Sequence, residues 1–133
     1  ANVEIYDAVG ADNIFIFGMS TEEVEALKRS GYNPQAFYTG NPHLHRAIDA
    51  MYTGFGGHTF GEVAGSLTGK DPYMVLADFE DYARAQALTA EVYRDREKWA
   101  RMALLNTAAS GVFAADRAIR DYSDRIWHCR PVK

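Results

Sequence analysis

The chain has 133 residues, of which 47% are hydrophobic and 24% charged, and this length suits one domain with its own core. The formal net charge of −4 argues against a nucleic-acid-binding surface, and no apolar run approaches the roughly 18 residues of a membrane span. The single cysteine, Cys129, cannot form an internal disulfide, which is typical of a reducing compartment such as the cytoplasm.

The first thirty residues predict two helices on either side of an apolar strand. Residues 2–9 have apolar side chains at near-helical spacing. The run NIFIFGM follows and predicts a strand at 13–18 that is buried on both faces of a parallel sheet. Next, Ser20 and Glu23 have the spacing of a capping box, and Gly31 marks the end of the helix that they begin.

The middle of the chain predicts two further capped helices. Residues 31–42 are rich in turn-forming residues and predict no regular element. Asn41 can cap a helix with Pro42 at its first position, and the apolar face of that helix consists of Leu44, Ile48 and Met51. Thr59 predicts the cap of another short helix, which closes at Gly69.

The last part of the chain predicts one strand and then only helices. The apolar run at 73–77 is the second strand candidate. Apolar residues at helical spacing follow at 82–92 and at 99–111. The final helix covers 116–127, with Pro131 marking its end, and its apolar face consists of Ile119, Tyr122 and Ile126.

Two strands that are buried on both faces do not form a self-sufficient parallel sheet, because such sheets commonly have five or more strands. We therefore expect a mostly helical α/β chain that is the tail of a larger domain, with its other strands elsewhere. Alternatively, the two strands pair inside a helical shell.

The four histidines do not have the spacing of a metal site. His43 and His45 point about 200° apart on a helix, so one ion cannot bind both. No cluster of cysteines or carboxylates joins His58 or His128 to this pair. The pattern favours histidines that face solvent.

Other candidate chemical groups also fit structural roles. The glycines at 54–57 match neither common phosphate-binding motif and favour a flexible turn, and Lys70 favours a solvated loop position. Asp78, Glu80 and Asp81 could act in general acid–base catalysis, but at a helix start they are expected to satisfy free backbone N–H groups.

Six stretches follow one another in an order that is similar to that of a known family: ANVEI, NIFIFGM, EEVEALKRSGYNP, DPYMVLADFEDY, VYRDREKWARMALLNTAASGVF and DRAIRDYSDRIW. They extend from Ala1 to about Trp127. Together they resemble the C-terminal end of the α-glucan phosphorylases, the glycogen, starch and maltodextrin phosphorylase family. Two local departures are a TGFGGHTFGEVAGSL region that is shorter than usual and the histidines of NPHLHR.

The resemblance implies a fold and a place within it. Residues 1–133 would form the C-terminal segment of the second of two Rossmann-like domains, which face each other across a cleft as in GT-B glycosyltransferases. NIFIFGM and YMVLADF would be the last parallel strands of that domain. The helix at 116–127 would cross back to the first domain, and the whole enzyme would be a homodimer.

The resemblance also implies an activity: phosphate attacks the terminal α-1,4-linked glucose of a glucan and releases glucose 1-phosphate. The cofactor would be pyridoxal phosphate, bound to a lysine that precedes the ANVEI segment in the family. No catalytic, cofactor-binding or metal-binding residue is therefore assigned to this chain, which alone is expected to be inactive. Two alternatives are a free-standing helical interaction module and another two-domain glycosyltransferase without pyridoxal phosphate.

Overall fold

The computed structural model describes residues 2–130, and helices form most of this part of the chain, as the sequence predicts. The helices are α1 (Asn2–Val9), α2 (Thr21–Ser30), α3 (Pro34–Gly40), α4 (Pro42–Thr53), α5 (Gly61–Gly69), α6 (Phe79–Arg94), α7 (Arg96–Ala109) and α8 (Ala115–Tyr122). Three short turns add to them: 3₁₀ turns at Ala11–Asn13 and Ser110–Phe113, and a π-helical turn at Ser123–Trp127. The predicted helix end at Pro131 lies outside the described residues.

None of the helices described within residues 2–130 combines the length and hydrophobicity needed to cross a bilayer.

Local capping chemistry explains where α2 and α4 begin. The Ser20 hydroxyl accepts a hydrogen bond from the Glu23 amide, and the Glu23 carboxylate accepts one from the Ser20 amide. Asn41 Oδ1 accepts bonds from the first amides of α4, and Pro42 occupies the first helical position. Gly31 ends α2 in the left-handed region at φ 87°. Both predicted starts and the predicted stop are confirmed.

Two predictions in the middle of the chain are wrong. Residues 34–40 form α3 and are not a turn, because Asn33 Oδ1 accepts a hydrogen bond from the Gln35 amide and Pro34 fits the first helical position. Helix α5 begins at Gly61 without a side-chain cap, so Thr59 does not start it.

The prediction of a strand at residues 13–18 is also wrong. Asn13 ends a 3₁₀ turn, Ile14 has extended backbone angles, and the segment then runs to α2 without regular structure. A strand requires a neighbour that hydrogen-bonds along its edge. Within residues 2–130 the only β-type pairing is a single bridge between Phe55 and His58, so this segment has no such neighbour.

The second predicted strand, residues 73–77, forms consecutive turns instead. Asp71 and Met74 have positive φ angles of 36° and 54°, which an extended strand does not allow. The amides of Val75 and Leu76 donate to the Asp71 carboxylate, so they are not available to a neighbouring strand. Hydrogen bonds to the nearby Asp71 carboxylate therefore take the place of the inter-strand hydrogen bonds that a strand would form.

The chain divides into two compact units. One consists of residues 16–88, and its core contains Leu44, Ile48, Ala64 and Leu76, all at most 4% exposed. Leu44 and Ile48 lie on the predicted apolar face of α4, which is therefore confirmed. The other unit consists of residues 1–15 together with 89–133, and its buried apolar side chains are Val92 and Met102.

The apolar face of the last helix remains exposed. Ile119 is 58% exposed and Ile126 is 62% exposed, and Trp127 in the π-helical turn is 59% exposed. The opposite side carries ion pairs, in which Asp121 contacts both Arg117 and Arg125. The segment is amphipathic as predicted, but residues 2–130 do not cover its apolar side.

Candidate functional site

The histidines have separate structural surroundings. His43, His58 and His128 are exposed, as predicted, whereas His45 is half-buried. His43 Nδ1 lies 2.9 Å from an Arg46 guanidinium nitrogen. Among the described residues, no group of three or more histidines, cysteines and carboxylates could hold a metal ion.

The half-buried His45 belongs to a small polar cluster that joins α3 to α4. Its Nε2 lies 3.2 Å from Asp49 Oδ2, and its ring lies 4.4 Å from the Tyr38 ring, measured between centroids. The Tyr38 hydroxyl donates to Asp49 Oδ1 at 2.5 Å, and this hydrogen bond raises the pKa of Tyr38. The Asp49 carboxylate is thus shared by two side chains, which gives the cluster a role in joining the helices.

The glycines at 54–57 form a tight turn. The Phe55 amide donates to the His58 carbonyl at 2.8 Å, and the His58 amide donates to the Phe55 carbonyl at 2.9 Å. A Cβ atom at Gly54 would lie only 2.3 Å from the His58 carbonyl oxygen, and the φ angle of Gly54 is 92°. The turn therefore requires glycine at this position. It is more constrained than the flexible turn that the sequence suggests.

Two carboxylates at the start of α6 hold the loop that precedes α2. Asp81 Oδ2 accepts a hydrogen bond from the Gly18 amide at 2.8 Å, and Asp78 Oδ1 accepts one from the Met19 amide at 3.0 Å. The prediction that Asp78, Glu80 and Asp81 satisfy backbone N–H groups at their own helix start is right only in part, because Glu80 accepts a hydrogen bond from the Asn41 side chain instead. The N–H groups belong to a loop about sixty residues away in sequence, however, and not to α6 itself.

Arg84 completes this arrangement from one turn further along α6. Its Nε donates to Asp81 Oδ1 at 2.5 Å, and a terminal nitrogen donates to the Ile16 carbonyl at 3.4 Å. The bond from Arg84, together with that from the Gly18 amide, lowers the pKa of Asp81. Asp81 is therefore kept ionised as an anchor, which is the opposite of what a general acid requires.

Asp71 is the most deeply buried polar residue described, at 1% exposed, and its role was not predicted from the sequence. Its carboxylate accepts hydrogen bonds from the Tyr32 hydroxyl at 2.7 Å, the Val75 amide at 3.0 Å and the Leu76 amide at 2.8 Å. Burial and the bond to Asp71 raise the pKa of Tyr32 above its usual range. The sequence signal was an aspartate before proline at a helix end, which is typical of a turn.

A cavity of about 240 Å³ lies beside residues 13–15 and α7. Phe15, Trp99 and Met102 contribute to its mostly apolar lining, and the Phe15 and Trp99 rings stack with centroids 6.3 Å apart. Asn106 Nδ2 donates to the carbonyls of Asn13 at 2.8 Å and Met102 at 2.9 Å. The Nδ2 group of Asn106 is thus engaged by two backbone carbonyls.

A second cavity, of about 260 Å³, lies between α3, α4 and the turn before α6. Phe37, Leu44 and Leu76 line its apolar part. At its rim Asn41 Nδ2 donates to Glu80 Oε1 at 3.1 Å. The Glu80 carboxylate is thus hydrogen-bonded to a residue that also caps α4.

The remaining candidates, Lys70 and Cys129, are both exposed. The Lys70 amide donates to the Ser66 carbonyl at the end of α5, and the Cys129 thiol lies 3.5 Å from the Trp127 carbonyl oxygen. The contacts described here join loops to helices and helices to each other. They bring together no nucleophile, base and orienting group of the kind used in covalent catalysis.

Comparison with known proteins gives matches over nearly the whole chain. Residues 1–129 match the sequence model of a family described as carbohydrate phosphorylase. A glycogen phosphorylase from Synechocystis sp. is 45% identical over 99% of this chain. The brain form of glycogen phosphorylase from Homo sapiens is 38% identical over 98%, and the muscle form from Ovis aries is 37% identical over 100%. The chain spans 16% of the length of each of these relatives.

Proposed function

This chain belongs to the carbohydrate phosphorylase family, and from that premise we propose that it forms part of an α-glucan phosphorylase. The enzyme would use inorganic phosphate to release glucose 1-phosphate from the terminal α-1,4-linked glucose of a glucan. The observation that carries the proposal is the continuous match: residues 1–129 of this chain match the family model, and 98–99% of this chain aligns with the Synechocystis and human relatives. Such continuity is expected of shared descent and not of an isolated motif.

The role we propose for these residues is to build and brace the fold. Asp78 and Asp81 hold the loop at Gly18, and the Asp71 carboxylate organises the turns that follow it. These carboxylates are engaged by backbone amides, so their chemistry is already used for structure. The residues that act on the glucan and on phosphate would lie in other parts of the protein.

Phosphorylases of this family depend on pyridoxal phosphate, and the lysines described here do not suit its attachment. A lysine that forms a Schiff base with this cofactor needs a shielded site with anion-binding groups. Lys28, Lys70 and Lys98 are exposed, and Lys28 Nζ is paired with Glu25 at 3.3 Å. We therefore assign no cofactor contact to residues 2–130.

We further propose that the chain completes the second Rossmann-like domain of a two-domain, GT-B type enzyme. Two observations support this placement. Residues 14–17 carry apolar side chains without a strand partner, with Ile16 44% and Phe17 48% exposed. The apolar face of the segment at 116–127 is also uncovered, as expected if it crosses to the first domain. We also propose that the whole enzyme is a homodimer located in the cytoplasm.

The alternative of a free-standing helical interaction module has no observation in its favour. A glycosyltransferase that shares only the architecture and lacks pyridoxal phosphate is disfavoured by the family match along 1–129.

The test is a phosphorolysis assay on the full-length protein. With inorganic phosphate and maltodextrin, we expect release of glucose 1-phosphate together with absorbance of bound pyridoxal phosphate. Residues 1–133 alone, prepared as a matched sample, should show neither signal. Turnover by the 133-residue chain would overturn the proposed bracing role, and absence of turnover by the full-length protein would overturn the proposed activity.

A further inference from the structure

Helices α3 and α4 meet at a single residue. Asn41 follows α3, where its amide donates to the Phe37 carbonyl at 3.2 Å, and it also begins α4, where its side chain caps the first turn. Helix α3 has only seven residues, and a helix of that length does not form without tertiary contacts. The contacts that α3 makes with the rest of its unit therefore decide how often it opens.

The Tyr38–His45–Asp49 cluster provides such a contact. Tyr38 is on α3, and His45 and Asp49 are one turn apart on α4. The ring centroids of Tyr38 and His45 lie 4.4 Å apart, and the ring planes are inclined at only 30°. His45 Nε2 lies 3.2 Å from Asp49 Oδ2, while Asp49 Oδ1 accepts the Tyr38 hydroxyl at 2.5 Å. The imidazole thus contacts both an aromatic ring of the other helix and a carboxylate of its own.

Protonation of His45 changes what its ring contributes to this cluster. An imidazolium is attracted by the face of an aromatic ring and by a carboxylate, whereas a neutral imidazole gains only stacking and one uncharged hydrogen-bond donor. Histidine is the side chain that ordinarily gains and loses its proton within the physiological pH range, near about pH 6.5. Protonation therefore adds attraction between α4 and the Tyr38 ring of α3.

The groups of the cluster are the titratable ones that contact His45. Tyr38 is the only titratable side chain of α3, and Asp49 is the only carboxylate of α4. The other titratable groups of the described helices α4 and α5, and one from α6, form no hydrogen bond or ion pair with His45: His43, Arg46, Tyr52, Glu62 and Glu80. Among these, Tyr52 acts electrostatically on Tyr38. A pH response of the cluster therefore reports the proton on His45.

We propose that the Tyr38–His45–Asp49 cluster is a pH-responsive clip, which holds α3 against α4 more firmly when His45 is protonated. The added attraction is fully present below the ordinary titration range of histidine and is lost as the pH rises through it. The His45 side chain is 44% exposed and that of Asp49 is 50% exposed, so solvent screening keeps the effect modest. Opening of α3 releases Phe37 and Tyr38, which pack against the core of the unit.

The experiment is hydrogen exchange of the full-length protein at pH 5.5 and pH 7.5, with rates corrected for the intrinsic effect of pH on amide exchange. Peptides from residues 34–40 should open about threefold less often at pH 5.5, as expected for a cation over an exposed aromatic ring. Peptides from α2, which contains no histidine, are the internal reference. Equal opening of residues 34–40 at both pH values, relative to α2, would overturn the inference.

Two pairs of variants assign the effect to the cluster. His45→Gln should remove the pH dependence, whereas His43→Gln, which replaces an exposed histidine of the same helix, should retain it. Tyr38→Leu should also remove it, whereas Tyr38→Phe keeps the ring and should retain it while opening more often at both pH values. Thermal melting identifies variants that fail to fold. Wild-type pH dependence in a folded His45→Gln variant, or its loss in His43→Gln, would contradict the clip.

Discussion

Residues 14–17 and residues 73–77 are both short apolar runs in the same chain, yet the hydrogen-bonding partners around their backbones differ. The amides of Val75 and Leu76 donate to the buried Asp71 carboxylate, and this segment folds into turns. Residues 14–17 are preceded by Asp12, which is exposed and not buried, and they remain extended or irregular. They are held from outside, by Asp81 on the Gly18 amide and by Arg84 on the Ile16 carbonyl.

The comparison shows that one buried acceptor can decide the conformation of an apolar segment. Both runs carry side chains that suit a buried strand. The buried Asp71 carboxylate lies four and five residues before the Val75 and Leu76 amides, which turn toward it and leave no edge for a neighbouring strand. Asp12 precedes residues 14–17 at a similar distance but is exposed, and this segment keeps an unpaired edge that another strand could join.

The largest effect on these two segments is expected from removal of the Asp71 carboxylate. Asp71→Ala leaves the buried Leu76 amide, the Val75 amide and the Tyr32 hydroxyl without their acceptor, and should lower the free energy of opening at 71–78 by about 3 kcal/mol. Hydrogen exchange of peptides from the full-length protein measures this change. Asp7→Ala, at an exposed position on α1, is the control and should change exchange by less than about 0.5 kcal/mol. Equal exchange in both variants would contradict the role assigned to Asp71.

The other segment should be most sensitive at Gly18. Gly18 has a φ angle of +98°, and a Cβ atom there would lie 3.0 Å from Asp78 Oδ2. Gly18→Ala should therefore lower the free energy of opening at 16–20 by about 2 kcal/mol. Gly111→Ala is the matched control, since its Cβ would meet nothing within 4 Å. Equal hydrogen exchange at 16–20 in the two alanine variants would contradict the close contact between Gly18 and the Asp78 side chain.

Tyr32, whose hydroxyl donates to Asp71, should make stability depend on pH in the alkaline range. The pKa of Tyr32 is raised in the folded protein above its ordinary value of 10.0, so its contribution to stability is fully present below pH 10 and is lost as pH rises further. Tyr32→Phe should cost about 1 kcal/mol at pH 7 and should make stability less dependent on pH above 10. Thermal melts between pH 8 and pH 11 provide the measurement. Parallel curves for wild type and variant would refute the connection.

The smallest effect is expected at Arg84. Its bond to Asp81 lowers the pKa of that carboxyl below its ordinary value of 3.8, so the stabilisation is present above that pH and is lost as the pH falls below it. Arg84→Gln should slightly raise the pH at which acid weakens the loop at Gly18. Both side chains are well exposed, so the shift should shrink as salt is added. An NMR titration of the Gly18 amide reports it, with Arg101→Gln as the control.

Structural features that depend on contacts between sequence neighbours could be predicted, and features that depend on contacts between distant residues could not. Ser20 with Glu23 and Asn41 with Pro42 mark helix starts because each cap contacts amides two or three residues away. The same reasoning failed at Thr59, where nothing in the sequence shows that the Phe55–His58 turn delays the helix to Gly61.

The candidate sites show the same division. The carboxylates at 78 and 81 were expected to bind amides of their own helix, and their actual partners, the Gly18 and Met19 amides, could not be found from spacing. The Tyr32–Asp71 bond joins residues 39 positions apart, so no local pattern reveals it. The family resemblance was detectable because it depends on the order of whole segments and not on any single contact.

The bond from Asn106 to the Asn13 carbonyl has a consequence for the order in which the chain folds. It joins residues 93 positions apart, and both belong to the unit made of the two ends of the chain. Closing so large a loop is entropically slower than forming local contacts. The contiguous unit at 16–88 can therefore mature first during synthesis, whereas the first helix must wait for the arrival of α7 before its own unit can assemble.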